Sequence, residues 1–255
     1  MTRTCLMLAV LVPFVSARPA SAAPEEVQVY TNDINAPGQL GLELHLNQVS
    51  AGDPAPDHIG GESSLGRYRL TPEWSYSLND QIELGAYLPL TTLDRHGALR
   101  ADGYKVRIKW LPAHPETGFY YGLNYEVGWE DRHLDQNPWN NEVKVIGGWQ
   151  NARWLMGGNV NFDWALHGPA ITAPEVELDA KLAFKLSPMT QIGLETYNGA
   201  GSTKDFGRFS RSVQATYLAL DTKLGRWDLN LGLGKGYGTN PDHLIVKMIL
   251  GVPIG

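Results

Sequence analysis

The sequence lacks the features that build a disulfide-linked protein, a nucleic-acid-binding protein or a helical membrane protein. It contains 1 cysteine among 255 residues, so neither an intrachain disulfide nor a cysteine-based metal site is predicted. Lysine and arginine total 21 against 27 acidic residues, and this net charge of −6 argues against a nucleic-acid partner. No run reaches the roughly 18 consecutive apolar residues of a transmembrane helix.

The most apolar run lies at the amino terminus and predicts a secretory signal peptide. Arg3 supplies a positive start, residues 5–15 (CLMLAVLVPFV) are too short to span a bilayer as a helix, and residues 20–22 (ASA) form a small-x-small cleavage site. We therefore expect residues 1–22 to be removed on export, which also removes the cysteine. An N-terminal periplasmic segment (residues 23–37) and a barrel (residues 38–255) are expected to follow, although residues 25–37 also fit a place within the barrel.

Apolar and polar residues alternate along most of the remaining chain, which is typical of β-strands with one face of each kind. The clearest example is residues 175–186, where Glu175, Glu177 and Asp179 alternate with Val176 and Leu178. The same period predicts strands at residues 40–47, 67–78, 82–88, 104–110, 119–130, 142–149, 154–166, 175–186, 192–195, 213–220, 227–233 and 244–252, of which only 213–220 lacks a clean phase.

The connections between these segments alternate between tight turns and mostly longer loops rich in Gly, Pro and Asp. That alternation is typical of outer-membrane barrels, which have short turns on the periplasmic side and loops outside. Without a transmembrane helix, only a closed barrel can satisfy every backbone group in lipid. The predicted fold is therefore all-β, a transmembrane antiparallel up-and-down β-barrel of about twelve strands, placed in the bacterial outer membrane.

The aromatic residues decide which face of the barrel meets lipid. A soluble barrel also alternates, but it turns its apolar face inward and places large aromatics centrally. Here the aromatics share the apolar phase and lie beside either the turns or the loops, which matches the two aromatic girdles of a membrane barrel. The predicted girdle residues are Tyr68, Tyr76, Tyr104, Trp110, Trp129, Trp139, Trp149, Trp154, Trp164 and Trp227.

The opposite phase carries charged and amide side chains and is predicted to line a water-filled lumen. The predicted lumen residues are Glu43, His45, Arg67, Arg69, Glu73, Glu83, Lys105, Arg107, Lys109, Asn124, Glu126, Glu142, Lys144, Asn161, Asp163, Glu175, Glu177, Asp179 and Lys181. Bases of the fourth predicted strand stand between Glu83 on the third and Glu126 and Glu130 on the fifth, and Arg67 and Arg69 are predicted to reach Glu43 and Glu83. Two interpretations remain open: a ladder of ion pairs that rigidifies the wall, or a pore whose charges select ions.

No motif predicts a metal, a cofactor or a catalytic site. The loop residues Asp131, His133 and Asp135 do not match a known ligand spacing. Gly232, Gly234 and Gly236 resemble a dinucleotide fingerprint, but no helix is predicted to follow them. A Ser–His pair on the lipid face would indicate a lipid-cleaving enzyme, and none is apparent. We therefore expect neither a metal, a cofactor nor enzymatic activity.

Several segments resemble a proteobacterial family of outer-membrane β-barrel proteins described as transporter-like. They are residues 25–49 (EEVQVYTNDINAPGQLGLELHLNQV), 71–78 (TPEWSYSL), 82–89 (IELGAYLP), 104–109 (YKVRIK), 122–128 (GLNYEVG), 227–236 (WDLNLGLGKG) and 246–253. The resemblance implies an outer-membrane location, and it implies no particular substrate or catalytic residue.

Together these observations favour a passive channel or transporter for small polar or aromatic solutes. Its partners would be outer-membrane lipid and the barrel-insertion machinery. The alternative is a non-conducting structural or surface-interaction barrel, similar to an adhesin or receptor, and a lipid-modifying enzyme is the weaker third reading. The sequence leaves the solute and the oligomeric state open.

Overall fold

The structure, a computed structural model, describes residues 26–169, 171, 173–207 and 209–254. The signal peptide predicted at residues 1–22 lies outside this range. The strands are β1 (Leu40–Gly52), β2 (Tyr68–Ser77), β3 (Ile82–Leu93), β4 (Leu99–Ala113), β5 (Gly118–Glu130), β6 (Trp139–Gln150), β7 (Trp154–His167), β8 (Glu175–Ser187), β9 (Thr190–Ser202), β10 (Asp205–Phe206), β11 (Val213–Leu224), β12 (Trp227–Gly238) and β13 (Asp242–Pro253), with a 3-10 turn at Phe209–Arg211.

The sheet closes on itself. Each long strand pairs antiparallel with its neighbours in sequence, and β1 pairs with both β2 and β13. The two-residue β10 forms a small hairpin with the end of β9. It lies outside the ring, because the ring is closed there by the pairing of β9 with β11. Twelve strands therefore form the barrel, which confirms the predicted all-β class and strand number. Closure leaves no open edge among the twelve strands of the described ring, as a membrane requires.

The two ends of the barrel differ in the length of their connections. Short connections at residues 78–81, 114–117, 151–153, 188–189 and 225–226 define what we call the turn end. At residues 79 and 151 an asparagine caps the turn: Asn151 Oδ1 accepts the backbone N–H of Arg153 and Trp154 at 2.7 and 2.8 Å. The opposite, loop end carries residues 53–67, 94–98, 131–138, 168–174 and 203–212, and only 239–241 is short there.

The outer surface of the barrel is apolar and the inner surface is polar. On β4, Val106 and Ile108 point outward and are exposed, whereas the alternating residues Arg107 and Lys109 are buried in the interior. On β13, Val246 is exposed, and Lys247, the next residue, is only 1% exposed. The predicted orientation, with leucines and tryptophans outside and ionised groups inside, is confirmed.

No helix in the described part of the chain is long and apolar enough to cross a membrane.

Val106 provides a test of this orientation because it lies at the middle of β4 on the outer surface. We expect Val106→Arg to lower the free energy of unfolding in phospholipid vesicles by about 2–4 kcal/mol, since a cation at the bilayer midplane loses its hydration. The adjacent inward Lys105→Arg keeps a charge beside Glu130 and is the matched control. Urea titration with tryptophan fluorescence measures both variants, and equal losses would contradict the assignment of the lipid face.

The chain ahead of β1 lies inside the barrel. Residues 27 and 29–31 are buried, and Asn35 is held beside Ser75 near the turn end. From Gly38, whose φ of 77° requires glycine, the chain turns into β1. Of the two places that the sequence left open for residues 25–37, a periplasmic segment and a position within the barrel, residues 26–35 take the second in the structure, because polar and apolar groups of the inner wall bind this stretch. We call residues 26–35 the plug.

Candidate functional site: the barrel interior

An asparagine on the inner wall binds the backbone of the plug. The N–H of Tyr30 donates to Asn159 Oδ1 at 2.7 Å, and Asn159 Nδ2 donates to the carbonyl oxygen of Tyr30 at 2.9 Å. The side-chain amide thus satisfies both the donor and the acceptor of one residue, as a neighbouring strand would. This pair of bonds fixes the position of Tyr30 in the lumen.

The ring of Tyr30 lies among cations. Lys144 Nζ is 4.3 Å from its centroid, Lys109 Nζ is 5.5 Å away and the guanidinium carbon of Arg107 is 5.8 Å away. The face of an aromatic ring attracts cations at these distances, and the attraction is stronger where water is excluded. The Tyr30 hydroxyl donates to Glu126 Oε1 at 3.3 Å, and its oxygen lies 2.8 Å from the hydroxyl oxygen of Tyr87.

Three further contacts hold the plug along its length. Lys247 Nζ donates to the carbonyl oxygen of Val27 at 2.8 Å, and the Tyr87 hydroxyl donates to Glu26 Oε2 at 2.9 Å. Nearer the turn end, the N–H of Asn35 donates to Glu83 Oε2 at 3.0 Å. The plug is therefore bound from the middle of the lumen down to the turn end.

Apolar groups of the inner wall complete the contact with the plug. These groups form two apolar clusters. The first consists of Val27, Val49, Ala215, Tyr217 and Ile245. The second consists of Tyr30, Leu111, Tyr120 and Ile146, with Ile34 packed against them. Gly157 leaves room for the plug, because a Cβ there would lie 3.3 Å from Thr31 Cγ2 and 2.9 Å from the Tyr120 hydroxyl. The inner wall is thus complementary to the plug in shape, hydrogen bonding and charge.

A network of ion pairs crosses β1–β4. Arg107 donates to Glu73 Oε1 at 2.6 Å through Nε and to Glu83 Oε1 at 2.9 Å through Nη2. Lys109 Nζ also lies 2.9 Å from Glu83 Oε1. His45 Nε2 is 3.2 Å from the other oxygen of Glu73. The predicted pairing of β4 bases with Glu83 is therefore present.

The bases nearer the loop end are placed differently from the prediction. Lys105 Nζ lies 3.2 Å from Glu130 Oε1, as expected, but Arg69 Nη2 joins the same carboxylate at 3.2 Å rather than Glu43 or Glu83. Arg67 Nη1 donates to the carbonyl oxygen of Glu62 at 3.4 Å. The two arginines therefore serve the loop end of the lumen, because β2 begins there.

A second network joins β8, β9, β11 and β13 on the other side of the barrel. Lys181 Nζ lies 3.0 Å from Glu195 Oε1 and 2.9 Å from Asp221 Oδ2, and Lys247 Nζ also donates to Glu195. Of these residues only Lys181 was among the predicted lumen residues. Asn124, another predicted one, donates to Glu126 Oε1 at 2.7 Å beside the plug.

The inner faces of β6, β7 and β8 carry an acidic wall, which we define as Glu142, Asp163, Glu175, Glu177 and Asp179. Glu142 pairs in register with Asp163, and Asp163 with Glu175. Lys144 Nζ is 3.3 Å from Glu142, and Asn161, another predicted lumen residue, donates to Asp179 Oδ2 at 2.7 Å. Like charges directly opposite one another destabilise a sheet, so folding stability does not explain this wall.

A cavity of about 1450 Å³ opens at the turn end. Plug residues 28–35 line one side of it, and the facing strands contribute both signs of charge, including Glu43, Lys185 and Asp221. The plug thus separates this cavity from the acidic wall.

Glu43, His45 and Glu73 form the one group in the described part of the chain whose ligand atoms are spaced to hold a metal ion. His45 Nε2 lies 3.5 Å from Glu43 Oε2 and 3.2 Å from Glu73 Oε2. Arg107 already binds the second oxygen of Glu73, so ion pairing accounts for this group without a metal.

The predicted girdle residues lie on the outer surface, in two groups. Near the loop end, the Tyr104 ring stacks on Trp129 at 6.2 Å and meets Trp139 edge-on at 6.1 Å. Near the turn end, Trp154 packs edge-on against Phe184 at 4.9 Å. The remaining exposed girdle residues are Tyr68 near the loop end and Tyr76, Trp110 and Trp227 near the turn end. Trp149 and Trp164 are half-buried. Their contact with lipid headgroups stays a prediction.

Two loops pack together at the loop end. His133 Nδ1 and its backbone N–H both meet Asp131 Oδ1, at 2.7 and 3.1 Å, and these hydrogen bonds lower the pKa of Asp131 below its usual value. His133 Nε2 is 3.1 Å from Asp102 Oδ1. The N–H of Glu62, in the first loop, donates to the carbonyl oxygen of His133 at 2.9 Å. These loop residues serve as structural contacts in the described chain.

The predicted lumen residues include Glu83, Glu126 and Lys144, which contact the plug, but not Tyr87 and Asn159, which also bind it. Tyr87 lies in the inward phase of β3 with Glu83, and Asn159 alternates with apolar residues on β7, so strand period alone could have placed both in the lumen. Tyr30 carried no such signal, because its partners lie up to 129 residues away in sequence.

Comparison with known proteins identifies the fold and no family. No family model matches the chain, and no curated protein matches it. An outer membrane channel from Pseudomonas putida F1 has a TM-score of 0.59 at 11% identity, over 89% of this chain and 99% of that one. The KdgM porin has a TM-score of 0.55 at 8% identity, over 84% of this chain and 99% of that one. The NanC porin has a TM-score of 0.53 at 8% identity, over 85% and 99% respectively. The chain therefore shares its β-barrel fold with these outer-membrane channels and porins.

Proposed function

We propose that the protein is an outer-membrane channel for the passive passage of small polar or aromatic solutes. The acidic wall carries this proposal, because five carboxylates on three adjacent strands cost stability and yet face the lumen. The apolar exterior and the likeness in fold to channel and porin structures support the membrane location.

In this proposal the turn end faces the periplasm and the loop end faces the outside, as in other outer-membrane barrels. A solute would pass the loops and the acidic wall, then the plug, and leave through the 1450 Å³ cavity. Twelve strands enclose more space than the eight that fill their own interior, so displacement of the plug would leave an aqueous path.

The acidic wall gives the channel a preference for cations. Lys144 Nζ lies 3.3 Å from Glu142 of the wall, whereas Lys181, the next inward residue after Asp179 on β8, pairs with Glu195 and Asp221. Rings or walls of carboxylates raise the local concentration of cations and exclude anions.

Reversal potentials in planar bilayers under a potassium chloride gradient test this preference. We expect the intact protein to favour potassium and the variant with Asp163→Asn and Glu177→Gln to lose part of that preference, because two carboxylates of the wall become neutral. Asp80→Asn, in a turn beside the cavity, is the control that removes one charge outside the wall. An unchanged reversal potential in the double variant would contradict the role of the wall.

The plug favours one alternative, a barrel that does not conduct. Its buried residues occupy the middle of the lumen, and the ion pairs around it are those of a rigid wall. A folded variant with a loosened plug that still passes no current would support this alternative and reject the channel.

A further inference from the structure

The contacts of Tyr30 define a particular ligand chemistry. Asn159 binds an amide through both its N–H and its carbonyl oxygen, and Tyr87 and Glu126 bind a phenol hydroxyl. Lys144 lies over the ring face at 4.3 Å. A ligand that satisfies all of these groups has a hydroxylated aromatic ring beside an amide.

The barrel, not the plug, supplies every one of these groups. Tyr87 comes from β3, Glu126 from β5, Lys144 from β6 and Asn159 from β7. The closed sheet positions all four strands, so the groups keep their arrangement when the plug moves. Asn159 is 2% exposed and Glu126 is 6% exposed with the plug in place, and an emptied site leaves their hydrogen-bonding atoms to water or to a solute.

The plug has the properties of a tethered occupant rather than of a strand. It pairs in no sheet ladder of the described chain, and it joins β1 through a single short turn at residues 36–39. A tether this short gives an effective concentration of about millimolar, so a free solute competes only when the docking of the plug is weakened.

We propose that Asn159, Tyr87, Glu126 and Lys144 form a solute-binding site that the plug occupies as a built-in ligand. The solute is a tyrosine-like compound, with a hydroxylated ring and an adjacent amide, such as a short peptide. The inference rests on the proposed channel function, which brings the solute into the lumen.

Ligand-observed saturation-transfer NMR on the refolded full-length chain tests the site. In a variant with Val27→Ser, Val29→Ser and Tyr30→Ser the plug loses three buried side chains, of which Val27 and Tyr30 each belong to one of the two apolar clusters. We expect N-acetyl-L-tyrosinamide to bind this variant, and N-acetyl-L-phenylalaninamide and N-acetyl-L-leucinamide to bind about tenfold more weakly, because a site built for a hydroxyl leaves buried groups unpaired without one.

A fourth substitution, Asn159→Ala, is expected to weaken N-acetyl-L-tyrosinamide binding about tenfold through loss of both amide bonds. Asn198→Ala is the matched control, since this amide donates to Leu178 away from the plug. Equal binding of the three amides, no binding, or unchanged binding after Asn159→Ala would overturn the site. If the triple variant does not fold, Tyr30→Ala alone is measured in the same way.

The current through the same variant separates this inference from the channel proposal. Current without selective binding rejects the solute site and leaves the channel. Selective binding without current supports the site and rejects passive conduction.

Discussion

Replacing Tyr30 by alanine is expected to raise the open probability of the channel more than any other single substitution. The change removes a buried ring, its contacts with Leu111, Tyr120 and Ile146, and its hydrogen bonds to Tyr87 and Glu126. Truncating a buried aromatic side chain costs about 3 kcal/mol or more, which weakens docking of the plug about a hundredfold. Single-channel recording in planar bilayers should show longer and more frequent openings.

The backbone anchor at Asn159 survives in this variant, so the plug is loosened and not deleted. Gln28→Ala is the matched control within the plug, because Gln28 is half-buried and lines the cavity. Removing the Gln28 side chain changes the wall of the cavity and leaves Tyr30 in place. If the two variants and the unmodified protein gave the same open probability, the plug would not govern conduction.

The strands and their orientation could be predicted from the sequence because they depend on a local signal. On β8, five acidic or basic residues alternate with apolar ones, and a shift by one residue would turn every charge into lipid. The same constraint predicted that the side chains of Lys105, Arg107 and Lys109 on β4 face the interior. The cost of a charge in hydrocarbon is large enough to decide the register without knowledge of the partner strands.

The ion-pair partners could be predicted only in part, because they depend on the relative height of strands that are not adjacent. Arg69 of β2 donates to Glu130 of β5, although β3 and β4 lie between these two strands and 61 residues separate the pair in sequence. Register shifts between β2 and β3, β3 and β4, and β4 and β5 move the inner residues up or down. β-bulges of this kind leave no clear mark in the sequence.

The plug could not be placed from the sequence, since its own pattern fits several environments. The stretch VQVYT alternates in the manner of a strand, and yet it enters no ladder of the described chain. What holds it is the sum of contacts from β3, β5, β6, β7 and β13, which exist only after the barrel has closed. Folding of the barrel therefore creates the site that the plug fills.

Arg107 is expected to be the inner-wall residue whose loss lowers stability most. Its side chain is 4% exposed and pairs with the side chains of Glu73 and Glu83, which are both 3% exposed. Arg107→Met should lower the free energy of unfolding by about 3–5 kcal/mol, because two carboxylates then stay in the interior with less compensation. Urea titration in phospholipid vesicles measures the loss.

Lys223→Met is the matched control for Arg107→Met. Lys223 Nζ lies 2.9 Å from Asp228 Oδ1, but both side chains are more than half exposed, so this pair is screened by water and its loss should cost less than about 1 kcal/mol. Adding Glu73→Gln to Arg107→Met should restore part of the lost stability, since it removes one of the two carboxylates left behind. Equal losses in Arg107→Met and Lys223→Met would show that water fills the lumen around Arg107 as fully as it covers the outer turns. The ion pairs of the inner wall would then set the charge of the pore and contribute little to holding the barrel together.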